Sequence, residues 1–551
     1  MSMELVAFVR GAGRRKLQMM FALSLLAGIA NAVLVVVITT VAERVARAEH
    51  PGLIAWAAFG VAFLVYYLAN QLALVRATTL IEERLNDLRL QLAEKLRQSE
   101  LLAVDRIGRG RLYGLVAKET NHLSVTFPLV MDAVQQVVLL AVALLYLLYL
   151  SPAAFLCFAL AVMGGVYGYK AINNRFRRIL GLVETLQAQM LDAIADIIHG
   201  SKELRLNARR SEAVSNAYRK RSNVLEVMLV RTIDHWVSLI LLGSLVTFAL
   251  LGVVAFGFPA FVSGHTVIVF QLVPVLLFCL GTLTKTVAQS PMFVRAEFGL
   301  QSILAVEREL AAAKGISTDE ARQHAHAFRS FKAIDFREIG FSYPAQQGVG
   351  YHVGPLSLTL SRGEVVFLVG GNGSGKSTAL RMMCGLYPLA SGRIDVDGHA
   401  VEGAELGGYR ELFSAIFVDF HLFDRLYGLE RVDPDRVNAL IDEMGLAGKV
   451  RFTDGRFSQL HLSTGQRKRL ALIAAVLEDR PIYVFDEWSA EQDVHFREYF
   501  YETFIPKLKA AGKLVIAATH DERYWGVADR VIRMDLGQIE WVKDKAELEE
   551  Q

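Results

Sequence analysis

Cysteine is almost absent. Only Cys157, Cys279 and Cys384 occur in 551 residues. So few, and so scattered, they have neither metal-ligand spacing nor an even pairing, which argues against a disulfide framework or a cysteine metal centre. They read as small buried hydrophobes. Charge of one sign is lacking as well. The 59 Lys and Arg against 56 Asp and Glu leave a net +3, so nothing points to nucleic acid as a partner. No cleavable signal peptide is evident, because the first apolar run is too long and no Ala-x-Ala-like site follows a short apolar core. The most telling lack is local. Charge vanishes from four windows, 17–42, 51–75, 133–169 and 236–284.

What fills those windows is apolar. Hydrophobic residues make up 53% of the chain, high for a soluble protein, and its length calls for more than one domain. A helix crosses a bilayer with about 20 apolar residues, so the first two windows hold one span each and the last two hold two each. Ser151-Pro152 supplies one turn and the Gly257–Gly264 stretch the other. Six spans result, near 17–42, 52–75, 128–150, 152–170, 236–257 and 265–285. Arg10, Arg14, Arg15 and Lys16 precede the first span, and the 170–231 segment has an excess of basic residues. The positive-inside bias then predicts both termini in the cytoplasm. Glu43, Arg44, Arg47 and Glu49 after the first span argue weakly the other way.

Two charged segments, about 76–126 and 170–235, are too long for simple connections and are patterned as helices. Spans two to five are expected to continue as helices beyond the bilayer, with turns at 105–110 and 199–203. Ordinary amphipathic surface helices are the plain alternative. Polar groups are scarce inside the spans, so Asn31, Gln71, Asp132, Gln135, Gln136 and Gln271 are candidates to face a polar pathway or to bond between helices.

From about 331 the pattern changes to short β-branched runs between amphipathic stretches. Val365–Val369 reads as a buried strand, followed by Gly370, Gly371, Asn372, Gly373, Ser374, Gly375, Lys376, Ser377 and Thr378, then a helical pattern. This is the Gly-x4-Gly-Lys-Ser phosphate loop in its proper setting. Its glycines let N–H groups turn toward phosphate, its lysine reaches the β/γ-phosphates, and the Ser377 hydroxyl suits Mg2+. A second strand, Pro481–Phe485, ends in Asp486-Glu487. Asp486 is placed for the Mg2+ shell and Glu487 to orient or deprotonate a water. A third strand, 515–520, is expected to end in His520, near the γ-phosphate.

Between these elements, Leu462–Gln466 reads Leu-Ser-Thr-Gly-Gln. With it the chain resembles the ABC transporters, in the form of an exporter-type half-transporter. The resemblance spans the chain. It adds Tyr343, matching an aromatic that stacks on adenine, and Asp493, closing the loop after Asp486-Glu487. It implies two ATPs sandwiched between two copies, with Ser463, Gly465 and Gln466 of each copy contacting the ATP held by the other. Departures narrow the likeness. Thr464 replaces a glycine, Trp488 a proline, and Val418 a metal-contacting glutamine, so Asp419 or water would fill that place. The loop Ser489–Asp493 is also unusual. This set resembles the bacterial cyclic-peptide and peptide-siderophore exporters, the pyoverdine-precursor, syringomycin and microcin-efflux group, as does Lys202–Asn207.

The expected architecture is therefore multidomain. An all-α six-span membrane domain with long cytoplasmic extensions (1–310) and a linker (311–330) precede an α/β ATPase domain (331–551). The expected protein is a homodimer in a bacterial inner membrane that uses ATP and Mg2+ to export a peptide-type substrate. A lipid or glycolipid flippase and a membrane-anchored regulatory ATPase are the other readings.

Overall fold

The computed structural model describes residues 8, 13–46, 48–115, 119–257, 266–313, 315, 316, 318–324, 326–343 and 350–549. The chain forms two compact units. One comprises Met1–Ala93 and Arg109–Arg308, the other Glu94–Gly108 and Glu309–Gln551.

The first unit is helical. Among the described residues six helices are long and apolar enough to cross a membrane. We label the helices α1 (Arg14–Ala46), α2 (Leu53–Gln98), α3 (Leu101–Ile107), α4 (Thr120–Leu150), α5 (Pro152–His199), α6 (Ser201–Leu206), α7 (Ala208–Gly252) and α8 (Thr266–Ala312). Of these, α3 belongs to the second unit. The break between α4 and α5 falls at the predicted Ser151-Pro152. Ser151 Oγ accepts from Ala154 N at 3.3 Å, and proline sits in the first turn, where its missing N–H costs nothing. Of the turn predicted at 257–264, residues 258–264 lie outside the described residues.

The helices do run past their apolar windows. At 48 residues α5 is about 72 Å long, more than twice the ~30 Å hydrocarbon core. Its charged half continues because Arg, Glu, Leu and Gln are all good helix formers. The helix of span four ends at the expected tip, whereas that of span two stops at Gln98, ahead of the expected 105–110 turn, and the short α3 fills the interval. Gly108, with φ 81°, follows α3, and Gly200 follows α5. Asn207 then caps α7, its Oδ1 accepting from Arg210 N at 3.0 Å. Trp56, Leu64, Leu145 and Phe248 lie exposed, so these helices are apolar on their outer faces as well as within.

Among the described residues the second unit has three sheets. Strands β1 (Ala333–Ser342), β2 (His352–Ser361), β4 (Ser391–Val396) and β5 (His399–Ala400) form an antiparallel sheet in the order β2-β1-β4-β5. Strands β3 (Val365–Val369), β6 (Phe413–Ile416), β9 (Ile482–Asp486), β10 (Leu514–Ala518), β11 (Arg530–Asp535) and β12 (Gln538–Asp544) form the central sheet. Its order is β12-β11-β3-β10-β9-β6, parallel except for β12. The short strands β7 (Phe452–Thr453) and β8 (Arg456–Phe457) pair in a hairpin. Every residue of β3, β9 and β10 is buried. Val365, Phe367 and Val369 face one apolar cluster and Val366 and Leu368 the other, as expected of a strand covered on both faces.

The tip segment between spans two and three joins this unit by main-chain bonds. Glu100 N donates to Ala313 O at 3.1 Å and Gly315 N to Gln98 O at 2.8 Å, while Arg410 Nη2 pairs with Glu100 at 3.1 Å.

Candidate active site

Adjacent parallel strands bring their carboxyl ends to one edge, and β3, β10 and β9 are neighbours there. The phosphate loop leaves β3 and runs into α9 (Lys376–Met383). Gly370 has φ 144°, and a Cβ there would meet Met534 O at 2.2 Å, so only glycine fits. Asn372 and Gly373 are exposed, whereas Ser374, Lys376 and Thr378 are buried. Lys376 Nζ donates to Gly370 O at 3.0 Å and Gly371 O at 3.1 Å. Burial holds this ammonium below its ordinary range against the pull of Glu487 and Asp486.

Ser377 and Asp486 meet as expected, with Ser377 Oγ donating to Asp486 Oδ1 at 2.9 Å. Asp486 is 1% exposed, and its Oδ2 has no hydrogen-bond partner among the described residues. Burial raises its carboxyl, and the bond from Ser377 pulls it back down. A half-buried hydroxyl beside a buried carboxylate with an orphaned oxygen fits a hard divalent cation such as Mg2+. Glu487 follows the strand with φ 51°, and its Oε1 lies 3.1 Å from His520 Nε2 and 4.0 Å from Lys376 Nζ. His520 itself is not in a strand. The last residue of β10 is Ala518, and Thr519 N still bonds Leu368 O at 3.0 Å before the chain turns. The histidine therefore enters from a loop, which corrects the expected 515–520 strand.

Tyr343 sits edge-on to Phe341, 5.0 Å between centroids, and its hydroxyl lies 3.0 Å from Thr378 Oγ1. The more exposed ring beside it is Tyr351, which the sequence reading missed. Its hydroxyl donates to Gly373 O at 2.7 Å and its ring lies 6.4 Å from Tyr343. The only signal was an aromatic just ahead of β2. Asp419 is 67% exposed and its Oδ1 accepts from Arg381 Nη2 at 3.0 Å. Arg381 in turn lies over the rings of Phe417 and Tyr387. Val418 is exposed.

The Leu-Ser-Thr-Gly-Gln element forms the start of α10 (Thr464–Glu478). Ser463 is its exposed N-cap. Ser463 Oγ accepts from Gln466 N at 3.4 Å and Gln466 Oε1 from Ser463 N at 3.2 Å, a reciprocal capping box. Thr464 occupies the first helical position with its side chain in solvent, which is why threonine is tolerated there. An exposed, positively polarised helix end faces outward, suited to an anion from elsewhere. Asp493 caps the helix beginning at Val494, accepting from Phe496 N at 3.0 Å.

Residues 353–490 match the ABC transporter family. ATP-binding protein SyrD of Pseudomonas syringae pv. syringae is 32% identical over 82% of this chain and 81% of its own length. The chain belongs to the ABC transporters. It is a multi-pass membrane half-transporter that binds ATP and couples its hydrolysis to transport. An ATP-dependent lipid A-core flippase of Burkholderia pseudomallei (strain 1710b) is 25% identical over 87% of this chain and 79% of its own. A bacterial Atm1-family ABC exporter solved with ATP bound shares the fold, with TM-score 0.78 over 97% of this chain and 96% of that one, at 18% identity.

In this transporter's membrane unit the scarce polar groups are mostly paired. Asp132 accepts from Lys285 Nζ at 2.8 Å, Gln289 Nε2 at 3.0 Å and Gln136 Nε2 at 3.3 Å, and Gln135 donates to Asn70 at 2.9 Å. Asn31 is half-buried and Gln71 exposed, while the side chain of Gln271 lies outside the described residues. Lys285 was missed because it only ends a predicted span. Beside this network lies a cavity of about 560 Å³ with apolar walls, lined also by Tyr169, Asn173, Arg177, Ser290 and Glu297. Arg177 pairs with Glu297, whereas Asn173 Oδ1 and Ser290 Oγ have no hydrogen-bond partner among the described residues.

Proposed function

We propose that this half-transporter works as a homodimer in a bacterial inner membrane, with both termini cytoplasmic. It exports a cyclic peptide or peptide-siderophore precursor toward the periplasm. The 560 Å³ cavity carries the reading. Its apolar walls suit side chains, and Asn173 Oδ1 and Ser290 Oγ, which have no hydrogen-bond partner among the described residues, suit the amide groups of a peptide. The likeness of Leu462–Arg469 and Asp486–Asp493 to the peptide exporters supports the same substrate class.

At each nucleotide site Tyr343 stacks on adenine, the Gly370–Thr378 loop cradles the phosphates, and Lys376 turns its ammonium from two carbonyls to the β/γ-phosphates. Ser377 and Asp486 hold Mg2+, which supplies charge neutralisation on the phosphate oxygens when bound. Asp419, or a water in its place, would stand in for the absent metal-contacting glutamine. Glu487 accepts a proton from the attacking water, and His520, bonded to Glu487, contacts the γ-phosphate. Ser463, Gly465 and Gln466 engage the nucleotide of the other copy, and Asp493 closes the loop that follows Asp486-Glu487. ATP closes the ATPase units, the long helices carry that closure to the spans, and hydrolysis resets them.

Purified protein in sealed vesicles tests this. ATP-driven accumulation of a cyclic peptide or peptide siderophore supports it, and steady hydrolysis without accumulation of any such peptide overturns it. A lipid flippase is the second reading, favoured by the flippase relative and by a smaller, mostly apolar cavity lined by Val162, Leu239, Leu242, Val246, Leu280 and Leu283, with Tyr169, Thr284 and Thr286 among its walls. Lipid-stimulated hydrolysis in nanodiscs would select it.

A further inference from the structure

The unusual residues after Glu487 all reach one helix. Trp488 is buried and stacked on Phe500, 4.3 Å between centroids, and its Nε1 donates to Lys468 O at 3.1 Å. Glu491 pairs with Lys468 Nζ at 2.9 Å, and the same Nζ donates to Glu487 O at 2.7 Å. Gln492 is buried and its Nε2 donates to Gly465 O at 3.0 Å. The backbones are close enough that a Cβ on Gly465 would meet Glu491 O at 2.5 Å. Thus 465–468 and 487–492 are joined by four polar bonds, three of them made by residues that depart from the usual loop.

A lysine side chain only 2% exposed is costly unless its charge is answered. Here it is answered by one carboxylate and by the carbonyl of Glu487, whose φ of 51° is a conformation a non-glycine residue keeps only when its surroundings hold it. The clamp therefore fixes the direction in which the Glu487 carboxylate leaves the chain. Its other end is the α10 turn that carries Ser463 and Gly465.

We propose that Lys468 is a positioning residue linking the two ATP sites of the dimer: engagement of the partner's nucleotide by the start of α10 is transmitted through Lys468 to Glu487 of its own site. The inference rests on the homodimeric reading above, in which Ser463 and Gly465 face the other copy's ATP. Trp488, Glu491 and Gln492 are then parts of one latch.

The test uses the full chain in nanodiscs, with Lys468→Met, Glu491→Ala and Glu487→Gln measured for ATP binding, kcat and the Hill coefficient in ATP. Lys468→Met should lower kcat by on the order of tenfold or more while the Kd for a fluorescent ATP analogue stays within about twofold, because base placement and not ground-state binding is lost. The Hill coefficient should fall from about two toward one. Glu491→Ala removes a half-exposed carboxylate, leaves Lys468 on the Glu487 carbonyl, and should lower the Hill coefficient with a smaller loss of kcat. An unchanged Hill coefficient in both variants overturns the inference, as does a proportional loss of binding and turnover in both. If Lys468→Met does not fold, Glu491→Ala alone decides by the same criterion. Normal turnover in Glu487→Gln would instead strike the hydrolysis reading itself. Blocked turnover there, with cooperativity intact in the other two, would strike only the latch.

Discussion

Replacing Glu487 by glutamine should do two opposite things to one site. The amide keeps the volume and still accepts a hydrogen bond from His520, now 3.1 Å from Oε1, so the fold around it is kept. It cannot take a proton from water. General-base assistance contributes about 10²–10⁴-fold, so hydrolysis should fall by about 3–5 kcal/mol of barrier. Binding should move the other way. The carboxylate lies 4.0 Å from the Lys376 ammonium that must reach phosphate, and so competes with ATP for it. Two charges at that distance interact by about 4 kcal/mol at an effective dielectric of 20. Glu487 is 31% exposed, and solvent screening reduces the competition to about 1 kcal/mol, roughly fivefold in Kd. Steady-state phosphate release, a fluorescent nucleotide titration and size-exclusion of the ATP-loaded protein read the three expectations: turnover nearly lost, ATP bound more tightly, and a trapped closed dimer. Normal phosphate release would refute the role of Glu487 as base. Weaker ATP binding would refute its competition for Lys376.

Other perturbations separate the remaining parts. Ser377→Ala removes the bond that pulls the Asp486 carboxyl down, so that carboxyl rises further; half-maximal Mg2+ should increase about tenfold and the acid limb of the ATPase profile should move to higher pH. Asp419→Ala should raise the Mg2+ requirement if Asp419 replaces the glutamine, whereas an unchanged Mg2+ titration would leave it only as the partner of Arg381. Gly370→Ala places a methyl 2.2 Å from Met534 O and should abolish ATP binding while the far-UV spectrum stays native, because the clash is confined to the loop. Trp488→Ala opens a cavity where the ring is 1% exposed and should cost about 3–5 kcal/mol of stability, read by chemical denaturation of the ATPase unit.

The parts of this molecule legible in sequence are those whose physics is local. A run such as Val365–Val369 must be buried on both faces, Gly370–Ser377 must turn around phosphate, and Ser151-Pro152 must start a helix. Helix lengths beyond the bilayer were readable because charge replaces apolar residues without any loss of helix propensity. What was hidden depends on pairing between distant residues. Nothing near Lys468 announces that its ammonium is buried against Glu487, 19 residues on. Lys285 looked like a span end until Asp132 was found 2.8 Å away. His520 reads as the end of a strand because Val515 and Ile516 start an apolar run that continues to Thr519, whereas the sheet pairing stops at Ala518.

The ATPase unit is not one stretch of chain. Gln98 and Glu100 clasp Gly315 and Ala313, and Leu102 packs against the same apolar cluster as Tyr343 and Phe413. Exchange of ATPase halves among relatives at a crossover near residue 311 would thus import a unit with one of its pieces left behind. Arg410 would meet a foreign residue where Glu100 stood, and the floor under Leu102 would be re-fitted by chance. Shuffling that respects this protein has to carry two inserts, 94–108 together with 309–551, and the heredity of its engine is to that extent tied to the heredity of its membrane helices.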